Sequence, residues 1–171
     1  MYSYLDKLQE RAIYCDTHIV IIVQPREGQA LVETGDSLVA MTSELKPFEF
    51  IEEFVSGGPK NYAYKVVNTR THERKTICKI KGITLNYNAS QLVNFEVIRD
   101  IILKEGPVVT VHNAKKIKRK RKGGGVVSII TEPEDKIYRI SFFKRRRLGD
   151  NTSVPFGYKS ETIEPQPFRL T

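Results

Sequence analysis

The chain has 171 residues, 40% hydrophobic and 28% charged, with two cysteines and a net charge of +8. That is enough chain for one domain or two small ones around a modest core. The longest apolar run, Ile19 to Val23, is only strand-sized, and the polar start Met1–Arg11 carries no signal-peptide core, so the sequence reads as an intracellular protein with no membrane partner.

Taken in chain order, residues 2–11 read as a short helix with Tyr4, Leu5 and Leu8 apolar. Ala12 to Cys15 and Ile19 to Gln24 are apolar and β-branched around Asp16-Thr17-His18, the pattern of a β-hairpin with a polar tip. Turns are expected at Pro25–Gly28 and Thr34–Asp36. Pro47 opens a predicted helix through Val55, with Phe48, Ile51, Phe54 and Val55 as its buried side and Gly57-Gly58 as its stop. Asn61 to Val67 and Lys75 to Ile80 read as strands around a polar turn. Lys81-Gly82 looks like a boundary. A second helix is expected over Ala89–Lys104, capped by Asn88, with Leu92, Phe95, Ile98 and Ile102 as its stripe. Val108 to His112 is a predicted strand, Lys115 to Gly125 a basic loop ended by three glycines, and Val126 to Thr131 and Lys136 to Phe143 further strands. Residues 149–171 read as an extended tail. The expected class is α+β with mostly antiparallel strands, divided into units 1–80, 81–148 and a tail 149–171.

Charge is unevenly placed along this order. Residues 1–59 hold four Lys/Arg and ten Asp/Glu, whereas residues 60–171 hold 24 and ten. An acidic front and a basic back suit a site that handles polyanions, and charge alone leaves DNA, RNA and anionic lipid open. Cys15 and Cys78 have no metal spacing and read as packed thiols. His72 and His112 stand alone, as structural or exposed residues. Two Asn-x-Ser patterns, at Asn88 and Asn151, carry no weight without a secretion signal. No nucleophile–base arrangement favours a hydrolase.

The hairpin tip is the stretch with chemistry in it. A carboxylate there is exposed by the turn and held by the strands, which suits a metal; Asp is also a common turn-former, and Asp16 by itself fits either role. Two-metal phosphoryl transfer requires carboxylates around two ions about 3.5–4 Å apart, so one Asp does not suffice.

Tyr14-Cys15-Asp16-Thr17 resembles the Tyr-x-Asp-Thr-Asp-Ser signature of family B DNA polymerases, in the protein-primed form of organelles, viruses and mobile elements. Tyr2 to Ala12 resembles the helix leading into that signature. Gly57-Gly58-Pro59-Lys60-Asn61-Tyr62 resembles the family's Lys-x-Tyr motif, and Lys81-Gly82-Ile83 its palm-to-thumb junction. Pro155-Phe156-Gly157-Tyr158 is similar to the terminal motif of mobile-element and virus-like members. The matches follow family order and cover nearly the whole chain. The resemblance implies an antiparallel palm half-sheet bearing the motif hairpin over residues 1–80, then a small α/β thumb. It implies template-directed nucleotidyl transfer from dNTPs with Mg²⁺, Asp16 as a metal ligand, and Lys60, Tyr62 and Lys81 against primer-template DNA.

Two departures qualify the implied activity. His18 and Ile19 stand where the signature has its second Asp and its Ser, and Mg²⁺ prefers hard oxygen ligands to imidazole. The exonuclease, the first palm carboxylate and the fingers motif are not within these residues, so catalysis would require the missing N-terminal half of a polymerase. The chain alone is expected to be inactive, and the alternative is a non-catalytic nucleic-acid-binding module derived from a thumb.

The basic half contributes the binding surface in either case. Lys115, Lys116, Lys118, Arg119, Lys120, Arg121 and Lys122 form one run, and Lys144, Arg145, Arg146 and Arg147 a second. The first is expected as a flexible loop along duplex phosphates and also fits a nuclear-import patch. The glycines after it lack a following Lys-Ser/Thr, so they form a hinge and not a phosphate loop.

Overall fold

A computed structural model describes the chain apart from residues 26, 39, 105, 107, 122, 126, 141–144, 150–152 and 156–171. Among the described residues the fold is α+β, with three short α-helices and four small sheets whose strand pairs are all antiparallel. Among the described residues no helix is long and apolar enough to cross a membrane.

Helix α1 (Tyr2–Leu8) buries Leu8 and passes through a 3-10 turn (Gln9–Arg11) into a hairpin of β1 (Ala12–Asp16) and β2 (Ile19–Ile22). Apolar, β-branched residues flank Thr17-His18, so the turn falls where the sequence places it and Asp16 ends β1 opposite Ile19.

The helix expected after Pro47 is instead a strand, β3 (Glu49–Ser56), paired with β4 (Tyr62–Asn68). The difference has a physical cause. The register shifts between Ile51 and Glu53, a bulge at Glu52. Ile51 and Phe54 lie three apart, and the bulge turns both onto the same face, where they pack with Tyr62, Tyr64 and Val66. A bulged strand therefore imitates helical spacing. Strand β5 (Arg74–Lys79) completes the sheet, with β4 at its centre and buried on both faces.

The single helix expected over Ala89–Lys104 is two. Asn86, not Asn88, caps α2 (Tyr87–Leu92), its side chain accepting from the Ala89 N–H at 2.9 Å. Asn94 caps α3 (Phe95–Lys104) by accepting from the Val97 N–H at 3.1 Å. Between them Val93 is extended and fully buried, while Leu92, expected in the buried stripe, is 50% exposed. Two caps eight residues apart outweigh a continuous apolar period. Phe95, Ile98 and Ile102 do face the core, with Val93, Ala63, Val111 and Tyr138. Full burial of a side chain such as Phe95 or Ile98 stabilises the fold by about 1.5–3 kcal/mol. Lys81-Gly82 is a turn, with Gly82 at φ +78°, but the largest core cluster crosses it and joins the three-stranded sheet to the helices and the segment beyond.

The largest difference lies further on. Residues Lys115 to Arg121 are not a loop. They are the outer half of β6 (Val109–Arg121), paired along its length with β7 (Val127–Tyr138), which merges the two strands expected there. Pro133 has no N–H for the ladder, and opposite it β6 bulges at Ala114-Lys115. A 3-10 turn over Gly123–Gly125, with Gly125 at φ +80°, lies at the tip. Part of the expected tail is also a strand, since β9 (Ser153–Pro155) pairs with β8 (Arg145–Arg147). The terminal motif beyond Pro155 lies outside the described residues.

Candidate functional site

Two distant segments meet at the hairpin tip. The β3–β4 turn closes with Gly57 N–H to the Asn61 carbonyl at 2.9 Å and Asn61 N–H to the Gly58 carbonyl at 3.1 Å. Within it Lys60 adopts φ +57°, and its N–H donates to the Tyr14 hydroxyl at 3.0 Å. Its ammonium lies 3.9 Å from the Asp16 carboxylate. The side-chain ends of Ile140 and Asn61 pack directly against Gly57, where a Cβ would have to displace them.

Asp16 is committed locally as well. Its Oδ1 accepts from the Thr17 N–H at 2.8 Å and the Thr17 hydroxyl at 3.2 Å. The Thr17 N–H is the main reason its carboxyl is held below the usual range, with the Lys60 charge adding to it. Tyr14 packs on Tyr62 with ring centroids 4.7 Å apart and on Phe54 at 5.8 Å. Burial raises the Tyr14, Tyr62 and Tyr64 hydroxyls, so all three stay protonated near neutral pH.

Lys60 and Tyr62, two apart in the Lys-x-Tyr stretch, are separated by the fold. Lys60 sits in the turn with an exposed side chain, and Tyr62 begins β4 with 6% exposure, inside the aromatic cluster. Tyr62 supports the hairpin from beneath, and Lys60 is the group that reaches solvent beside Asp16. Lys81 is exposed on the turn after β5.

The donor set at the tip does not suit Mg²⁺. It offers one carboxylate, already engaged by Thr17 and Lys60, and the exposed imidazole of His18 next to it. Among the described residues no group of three or more His, Cys, Asp or Glu converges. A lysine ammonium occupies the neighbourhood where a second carboxylate would be useful.

The basic run is ordered by strand geometry into two faces. Lys116, Lys118 and Lys120 share one face with Glu132 and, beyond the bulge, Glu134. Lys118 lies 3.4 Å from Glu134, Lys136 3.6 Å from Glu134, and Lys120 3.4 Å from Glu132. Desolvation works to raise the Glu134 carboxyl, and Lys118, Lys136 and Lys116 outweigh it and hold it below the usual range. Arg119 and Arg121 lie on the other face, exposed, and among the described residues neither has an ion-pair partner. Lys115 lies in the bulge, exposed. Lys122 and Lys144 lie outside the described residues. Arg145, Arg146 and Arg147 form β8, with Arg146 exposed.

Four participants go beyond the residues that the sequence singles out. Asn61 accepts from the Tyr138 hydroxyl at 3.0 Å, which ties the β3–β4 turn to the base of the β6–β7 ribbon. Asn61 lies inside the Lys-x-Tyr stretch, and only its position between two named residues could have drawn attention to it. Glu132 and Glu134 restrain the lysines, and the acidic run Glu132 to Asp135 twelve or more residues after Lys120 was the available signal. Comparison with known proteins returns no matching family model, no matching curated protein and no matching solved structure.

Proposed function

We propose that this chain is the palm-and-thumb portion of a family B DNA-directed DNA polymerase, and that what these residues supply is DNA binding and not catalysis. The observation that supports it is the meeting of the two resembling motifs. Tyr14-Cys15-Asp16-Thr17 and Lys60-Asn61-Tyr62 lie 46 residues apart between Tyr14 and Lys60, and they touch through the Lys60 N–H to Tyr14 hydroxyl bond. A lysine beside the signature hairpin is where the end of a primer would be held. Catalysis at this tip is disfavoured, because phosphoryl transfer through two metals requires more carboxylate than Asp16 offers.

The test compares binding to a recessed 3′ primer end with binding to a blunt duplex of equal length. The wild type prefers the recessed end, and Lys60→Ala removes that preference while leaving blunt-duplex affinity nearly unchanged. Equal binding to both substrates by the wild type would contradict the reading. The chain extends no primed template with Mg²⁺ or Mn²⁺, and His18→Asp does not restore extension. Template-dependent extension abolished by Asp16→Ala would show a working metal site and overturn this part.

The second reading, a non-catalytic nucleic-acid-binding module with no primer-end function, is favoured by the tip's poor donor set and by the basic ribbon. Retention of duplex binding without any primer-end preference selects it.

A further inference from the structure

The β6–β7 ribbon leaves one face uncovered. Ile117, Arg119 and Arg121 of β6 lie across from Thr131, Ile129 and Val127 of β7, and all six side chains share that face. Ile117 is 69% exposed, Ile129 73% and Val127 42%. Ile137, further down the same face, is 62% exposed. A strip of exposed β-branched aliphatics marks a surface that is covered in use. Its occupant is anionic, because the two charged residues among these six, Arg119 and Arg121, are both positive, and the nearest carboxylate on the same side of β7 is Asp135, beyond Pro133. The two faces are also unequal. Lys118 and Lys120 of the opposite face are held by Glu134 and Glu132, while the arginines among the isoleucines have no acidic partner among the described residues.

We propose that this Arg119–Ile129 face seats in the major groove of duplex DNA. The inference rests on the reading that the basic half binds DNA, and adds which face does so and where. Strands in a ribbon lie roughly 4.8 Å apart, and the B-form major groove, about 12 Å wide, admits a two-stranded ribbon with its side chains. Both side-chain types find partners there. A guanidinium forks onto the O6 and N7 of guanine, and an aliphatic side chain packs on the thymine methyl. Lys115, in the bulge, then lies toward the flanking phosphates, where contact positions without reading sequence.

The two kinds of contact separate in a salt titration. Phosphate contacts set the slope of log K against log salt, and apolar contacts shift affinity at all salt concentrations alike. The full chain is titrated onto a 20-base-pair duplex, onto the same duplex with its major groove filled by a third pyrimidine strand, onto the duplex with netropsin in its minor groove, and onto phosphatidylserine vesicles. The third strand lowers affinity about tenfold or more, netropsin leaves it unchanged, and vesicles bind less tightly than duplex. Ile117→Ser with Ile129→Ser lowers duplex affinity about tenfold with the slope unchanged, while circular dichroism melting stays as in the wild type. Isoleucine variants that bind like the wild type, undiminished triplex binding, displacement by netropsin, or a preference for vesicles would each overturn the proposal and leave the DNA reading to its own test. No duplex binding by the wild type would overturn both.

Discussion

Lys60 shows how one residue joins the parts of this molecule. It takes a left-handed backbone conformation, at φ +57°, that costs a non-glycine residue about 1–2 kcal/mol. The Tyr14 hydroxyl that receives its N–H is the contact that holds it. Tyr14→Phe leaves the aromatic packing in place and removes that acceptor, and is expected to lower stability by about 1 kcal/mol in urea unfolding. Tyr138 plays the matching part on the other side of the turn. Burial pushes its hydroxyl up to about 12 from 10.0. The folded state therefore keeps the proton that the unfolded chain releases. The contribution of Tyr138 is full below pH 10 and is lost as pH rises toward 12. A melting series across that range should fall for the wild type and fall less for Tyr138→Phe, and parallel curves would mean that Tyr138 is not the titrating group.

At the scale of elements, the parts legible in the sequence are those where side-chain period and backbone agree. The β1–β2 hairpin could be read because β-branched residues flank a short polar tip, and β4 and β5 because apolar runs bracket Asn68 to Arg74. Strand β3 could not, because the bulge at Glu52 gives Ile51 and Phe54 a helical spacing. The α2–α3 break was hidden by an apolar stripe that runs across it, and the caps that make it, Asn86 and Asn94, are set by the fold where the sequence pointed to Asn88. The outer ribbon was illegible for a different reason. Hydrophobic alternation is the usual mark of a strand, and in Lys115–Arg121 Ile117 is the one apolar residue, so cross-strand pairing with β7 decides what period cannot. The same pairing yields the candidate site's main surprise, that glutamates sit among the lysines. Ile98→Ala in α3 should cost about 2–5 kcal/mol by denaturant midpoint, since Ile98 is fully buried in the core shared with the ribbon base. Glu132→Gln with Glu134→Gln should do the reverse of harm to binding. It releases Lys118, Lys120 and Lys136, so duplex affinity rises and the salt slope steepens by about one unit for each lysine that reaches a phosphate. An unchanged slope would mean that the lysine face stays away from DNA.

Over the whole molecule, an acidic first third carries the hairpin and a basic remainder carries the ribbon and β8, with a core that runs between them through Ala63, Phe95, Val111 and Tyr138. That continuity gives the proposed DNA reading its geometry. The turn that presents Lys60 is tied by Asn61 to the base of β7, the strand paired with the one that presents the arginines. Nonspecific duplex affinity for such a surface is expected at about 10⁻⁴–10⁻⁶ M at physiological salt. The most direct measurement is a salt-titrated binding isotherm on primer-template DNA for the wild type and for a variant with Lys118, Arg119, Lys120, Arg121 and Lys122 replaced by Ala. The account predicts that the variant binds more weakly to every sequence and that its slope flattens by about one unit for each phosphate no longer neutralised. Identical affinities and slopes for the two proteins would show that the ribbon does not touch DNA, and would contradict it.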